Sequence, residues 1–185
     1  LVTLLILYIV YENHTRNKEL LKYAQTDALT GLYNKETTEQ LTDELLSEDE
    51  NKYHAFLILD VDCFKQINDI YGHAVGDIVL QKFGKLLKGT FREGDILGRI
   101  GGDEFGVIMK NIQTKDIAMK KAGELLAKTQ AYKIDELKGN NISISIGIST
   151  APQDGDCYMD LYKRADQALY QAKRSGKARV CNYFS

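Results

Sequence analysis

Apolar residues recur along this chain at two spacings, and the changes between them predict alternating helices and strands. In "KETTEQLTDELLS" (35–47), Leu41, Leu45 and Leu46 fall on one side of a helix that Asn34 can cap. "HAFLILDVD" (54–62) is a short, nearly unbroken apolar run, as expected of a strand buried on both faces. "AVGDIVLQKFGKLLKG" (74–89) returns to helical spacing, with Val75, Ile78, Val79, Phe83, Leu86 and Leu87 on one stripe. "DILGRI" and "EFGVIMK" read as two strands of a hairpin, and "TKDIAMKKAGELLAKTQ" as a helix. "NISISIGIST" carries isoleucine at 142, 144, 146 and 148, a strand pattern. "MDLYKRADQALYQAKRSG" is an amphipathic helix stopping near Gly176, and "ARVCNYF" a last strand. Helices alternating with strands around one antiparallel hairpin predict an α+β fold, a mixed central sheet with flanking helices.

The amino terminus breaks this pattern. "LVTLLILYIVY" has one polar residue, Thr3, yet falls short of the ~20 apolar residues that span a bilayer. The chain begins at Leu1 and reads as a fragment. Two readings stay open: the cytoplasmic end of a truncated transmembrane helix, or an apolar segment packed in a coiled coil. Arg16, Lys18 and Lys22 follow the apolar run and favour the first, which puts the rest of the chain on the inner face of the cell membrane. "ENHTRNKELLKYAQ" continues as a helical connector with Leu20, Leu21 and Tyr23 available as a seam. The expected division is therefore 1–25, signalling helix and connector, and 26–185, a folded domain.

Composition narrows the function. A net charge of −2 argues against binding a nucleic-acid polymer, which needs a basic stripe. Cys63, Cys157 and Cys181 are odd in number and widely spaced, so they form neither a disulfide framework nor a zinc pattern.

The chemistry concentrates in "RIGGDEFGVIM" (99–109). Two glycines between apolar runs suit a tight turn, but the adjacent acids Asp103 and Glu104 repel each other, and a plain turn needs neither. "LILDVDCFKQIND" ends an apolar strand on Asp60 and Asp62, where carboxylates are costly unless paired or bound to a cation. If that strand lies beside the hairpin, Asp60, Asp103 and Glu104 converge on a divalent metal; alternatively Asp60 only caps the next helix. Lys65, at a helix start, suits phosphate. Asn68 and Asp77 can bond a guanine edge or be ordinary helix positions. His73 alone is more often a buried, hydrogen-bonded histidine. Lys173 and Lys177, four apart, can share a helix face.

Six blocks in order carry a family likeness: "DALTGLYN", "DVDCFKQIND", "YGHAVGD", "RIGGDEF", "SISIGIS" and "ADQALYQAKRSGK". Across about residues 25–183 the chain resembles the GGDEF domains of diguanylate cyclases. The resemblance implies a palm-like fold akin to nucleotide cyclases and polymerases, and condensation of two GTP into cyclic di-GMP with loss of pyrophosphate. It implies a Mg2+ or Mn2+ site at Asp60, the Val61 carbonyl, Asp103 and Glu104, the last two and Lys65 serving catalysis. It places Asn68 and Asp77 on guanine, with His73 in the same block. It places Lys65, Lys173, Lys177 and the backbone amides near Cys63 and Phe64 on phosphate. A two-fold homodimer follows, because each domain holds one GTP. Arg92 and Asp95 of "REGD", the arginine nine residues ahead of Gly101, match the family's inhibitory product site. Lys177 stands in place of the commoner arginine, Lys35 replaces a frequent arginine, and Gly98 stands where a larger small residue is usual. The remaining alternatives are a catalytically inactive nucleotide-binding GGDEF domain and a plain dimerisation module, with the upstream sensor outside this chain in every case.

Overall fold

A computed structural model describes residues 11–12, 24–48 and 52–183. The elements run α1 (Lys35–Glu48), β1 (His54–Val61), α2 (Phe64–Tyr71), α3 (His73–Thr90), β2 (Ile96–Arg99), β3 (Glu104–Met109), α4 (Lys115–Ala131), β4 (Ile144–Ala151), α5 (Tyr158–Arg174) and β5 (Val180–Asn182), with a short 3-10 turn at Asp135–Leu137. Nearly all of the expected amino-terminal helix lies outside the described residues. Among the described residues no helix is long and apolar enough to cross a membrane.

The sheet order is β2-β3-β1-β4-β5. β1 is central and antiparallel to both neighbours, while β5 lies parallel to β4, so the sheet is mixed as the pattern implies. All eight residues of β1 are buried. Its alternating side chains feed two cores. Leu57, Leu59 and Val61 meet Val79, Phe83 and Leu87 of α3 and Leu125 of α4 on one face. Phe56 and Ile58 meet Leu45 and Leu46 of α1 and Leu161, Ala165 and Leu169 of α5 on the other. Fully burying each such side chain contributes about 1.5–3 kcal/mol, so helices on both faces hold the central strands out of water. The α5 helix lies so close to the sheet that a Cβ on Gly147 would stand 2.1 Å from the Ala165 carbonyl oxygen.

Local chemistry agrees with the sequence at α1, where Asn34 Oδ1 accepts from the Thr37 amide at 2.9 Å. Sequence periodicity did not resolve α2. Its eight residues include no fully buried one, and Gly72, at φ 85°, separates it from α3. Gly98 is required where it stands, since a Cβ there would sit 1.9 Å from Thr38 Oγ1 on α1.

Candidate active site

The strand register brings the acids together. Asp60, near the end of β1, pairs directly with Glu104, the first residue of β3. Asp103 stands in the turn just before it, and its carbonyl accepts the Val61 amide at 3.2 Å. Val61 backbone, Asp60, Asp103 and Glu104 therefore occupy one end of two paired strands. Asp60 does not cap a helix: its Oδ2 accepts from Lys173 Nζ at 2.7 Å. Burial pushes the Asp60 carboxyl up to about 6; the Lys173 ammonium opposes the rise, and the charges of Asp103 and Glu104 add to it. Glu104 is raised as well, by burial and by Asp103 and Asp166, against Lys173 and Lys35. Asp60 and Glu104, both raised by burial and by neighbouring acids, with Asp103 and the Val61 carbonyl beside them, are hard oxygen donors of the kind a small divalent cation takes.

Asp62 has a different task. It is buried, and accepts from Ser143 Oγ at 2.8 Å, Ser145 Oγ at 2.7 Å and the Ala178 amide at 3.1 Å. It ties the end of β1 to β4 and to the segment after α5. The serines of "SISIGIS" gave no sign of this in the sequence.

Between β1 and α2 the chain turns through Cys63, at φ 59°. Phe64 and Lys65 open α2, and Lys65 is exposed. Lys177 Nζ lies 3.1 Å from Cys63 Sγ, and this contact raises the pKa of the ammonium. The expected shared helix face of Lys173 and Lys177 does not exist. The α5 helix ends at Arg174, and Gly176 at φ 107° closes it, its amide bonding the Lys173 carbonyl and the Lys177 amide the Ala172 carbonyl. Lys173 thus reaches the acids from the helix, and Lys177 reaches the β1–α2 turn from the loop beyond.

Asn68 sits on α2 facing α3. Its Oδ1 is buried without a hydrogen-bond partner in the protein. A Cβ on Gly76 would lie 1.9 Å from that oxygen, so the glycine clears its space. Asp77 follows on α3, exposed. His73, the first residue of α3, is exposed rather than buried in the core.

Arg92 and Asp95 lie apart from the acids, between α3 and β2. Asp95 is 3% exposed at its side chain and accepts from Arg92 Nε at 3.0 Å and from the Lys110 amide at 3.1 Å. Arg92 also donates to the Lys110 carbonyl, yet its side chain is 59% exposed. The carboxylate holds the turn and the guanidinium is the group presented. A cavity of about 620 Å3 adjoins them, floored by Leu32, Tyr33, Phe91 and Leu97.

Fold and acids together define an α+β domain with carboxylates at a glycine turn of a mixed sheet and, on a separate helix, a buried amide oxygen without a donor. The family described as "Diguanylate cyclase, GGDEF domain" matches residues 24–179. Diguanylate cyclase A of Treponema denticola is 37% identical over 171 residues, 89% of this chain and 46% of the relative. The response regulator PleD of Caulobacter vibrioides is 36% identical over 177 residues, 92% of this chain and 39% of the relative. The coiled coil and GGDEF domain of DgcB from Caulobacter crescentus, solved in complex with c-di-GMP, superposes with a TM-score of 0.86 at 25% identity, covering 95% of this chain and 94% of that one. The chain belongs to the GGDEF domain family of diguanylate cyclases. It spans less than half the length of these two curated relatives.

Proposed function

We propose that this domain condenses two GTP molecules into cyclic di-GMP with release of pyrophosphate. The observation that carries the reading is the placement of Asp60 opposite Glu104, with Asp103 in the adjoining turn, beside the β1–α2 turn. Asn68 Oδ1 supports it, because the protein gives this oxygen no donor and a guanine N–H can supply one. Asp77, exposed on α3, would accept from the guanine edge, with His73 at the start of the same helix. Phosphates lie against the backbone amides of Cys63 and Phe64 at the start of α2, with Lys65, Lys173 and Lys177 balancing their charge.

In each condensation the 3′-oxygen of one GTP bonds to the α-phosphorus of the other, and the bond to the pyrophosphate leaving group breaks. Asp60, the Val61 carbonyl, Asp103 and Glu104 would hold Mg2+ or Mn2+. A bound ion lowers the pKa of the attacking hydroxyl and neutralises phosphate charge. Lys173, paired with Asp60 here, would also offer its charge to phosphates bound beside the acids. One domain holds one GTP, so two chains face each other across a two-fold axis. Pairing through residues 1–25, anchored at the membrane, would raise the effective concentration of one half-site for the other. Arg92, exposed beside the 620 Å3 cavity, grips the cyclic di-GMP product in feedback inhibition.

The test is chromatographic detection of cyclic di-GMP from the purified chain with GTP and Mg2+. Glu104→Ala should abolish the product while circular dichroism stays unchanged. Near-normal synthesis by this variant would overturn the assignment of the acids, and GTP binding without product would leave a nucleotide-binding signalling domain.

A further inference from the structure

The turn that delivers Asp103 and Glu104 is built from two glycines and carries charges that repel each other and Asp60. Its backbone bonds run from the Ile100 amide at 3.0 Å and the Gly101 amide at 3.2 Å to the Glu104 carbonyl, and from the Val61 amide at 3.2 Å to the Asp103 carbonyl. They secure the β3 side of the turn. The Gly102–Asp103 peptide, which sets the direction of Asp103, is secured differently. Arg99, the last residue of β2, donates to the Gly102 carbonyl from Nε at 3.1 Å and from Nη2 at 2.7 Å. Its remaining nitrogen, Nη1, reaches Asp27 Oδ1 at 3.3 Å and Oδ2 at 3.2 Å. The two side chains are 17% and 23% exposed, so this ion pair is shielded from the solvent that weakens surface pairs.

Asp27 is itself held. Its Oδ1 accepts from the Thr30 amide at 2.8 Å and Thr30 Oγ1 at 2.7 Å, and its own amide donates to the Leu32 carbonyl at 2.8 Å. The loop around it is docked on β2: the Tyr33 amide bonds the Leu97 carbonyl and the Arg99 amide bonds the Tyr33 carbonyl. Asn34 closes the loop through bonds to the carbonyls of Ala24 and Gln25. These are the residues by which the chain enters the domain.

We propose that Arg99 is a positioning residue which fixes the Gly102–Asp103 peptide, and hence the carboxylates of Asp103 and Glu104, and that Asp27 anchors it to the segment entering the domain. A guanidinium suits the task because its planar fork serves one carbonyl with two donors and keeps a third for the carboxylate; a lysine cannot span both. A shift of residues 24–27 along β2 then reaches Asp103 through two side chains on the sheet edge, without disturbing either core. The inference rests on the metal reading of the acids proposed above.

The test compares the full chain with Arg99→Ala, Arg99→Lys and Asp27→Asn. Mn2+ binding, followed by electron paramagnetic resonance without nucleotide, should weaken about tenfold in Arg99→Ala and less in the other two, as for residues that orient metal ligands. The kcat for GTP should fall with the metal affinity, while the KM for GTP moves less than about twofold, since Asn68 and Asp77 stand on other elements. Melting temperatures should not follow the same order. Unchanged Mn2+ affinity in Arg99→Ala, or losses that track melting temperature across all variants, would overturn the proposal. Should Arg99→Ala not fold, Asp27→Asn, which keeps the shape of the side chain, decides by the same readouts. A wild-type chain without cyclase activity whose Mn2+ affinity still drops in the variants would refute the proposed reaction and uphold the clamp.

Discussion

Replacing Asp60 with asparagine should make the protein more stable and inactive at once. Asp60 is 6% exposed, and its carboxyl titrates near 6 instead of 3.8, chiefly because burial penalises its charge. Between those two values the folded chain keeps a proton that the unfolded chain has lost, so this group's contribution to stability falls as pH rises from about 4 to 6. Above 6 the cost is fully present. At about 1.4 kcal/mol per tenfold, it amounts to about 3 kcal/mol at most. Asparagine has the same shape and no charge to desolvate, and the rise to about 6 is already net of the opposing Lys173 ammonium 2.7 Å away. The expected stabilisation at pH 7.5 is about 1–2 kcal/mol, or roughly 2–4 °C in melting temperature per kcal/mol for a chain of this size. The assay is thermal or urea unfolding of both proteins with a chelator at pH 7.5 and again at pH 4.5, where the difference should shrink. Mg2+ should then stabilise the wild type more than the variant. An Asp60→Asn protein less stable than wild type at pH 7.5, or a difference unchanged at pH 4.5, would refute the reasoning.

Gly76→Ala drives a methyl to 1.9 Å from Asn68 Oδ1, so the KM for GTP should rise at least about tenfold; measured discrimination against ATP, expected to be large in the wild type because adenine has no N1–H, should shrink in parallel. Asp62→Ala strands two serine hydroxyls and the Ala178 amide and should cost about 3 kcal/mol or more in urea unfolding, in contrast to its near neighbour Asp60. Arg92→Ala should leave initial rates intact and abolish inhibition by added cyclic di-GMP; equal inhibition of both proteins would reduce Arg92 and Asp95 to a structural turn.

Much of this molecule is readable from the chain alone. Period-two and period-3.6 patterns located the strands and the longer helices, because burial on a sheet or helix face imposes those spacings locally. The six motif blocks identified the family because their residue types and order are read directly from the chain, although the glycines among them clear space for other segments, as Gly76 does for Asn68 and Gly147 for Ala165. What lay beyond the sequence depended on pairing between distant segments. The register of β1 against β3 set Asp60 opposite Glu104, and nothing within either segment specifies that register. Asp60 and Asp62 look equivalent two residues apart, yet one meets a lysine 113 positions away and the other two serines and an amide. Lys173 and Lys177 looked like neighbours on a helix until Gly176 ended it between them. Arg99 and Asp27 are 72 residues apart and meet only because the loop at 24–34 docks on the edge of β2. Residue types and spacing encode what a segment buries; which charges meet there is decided by the packing of the whole sheet, since electrostatic partners are chosen by distance in space.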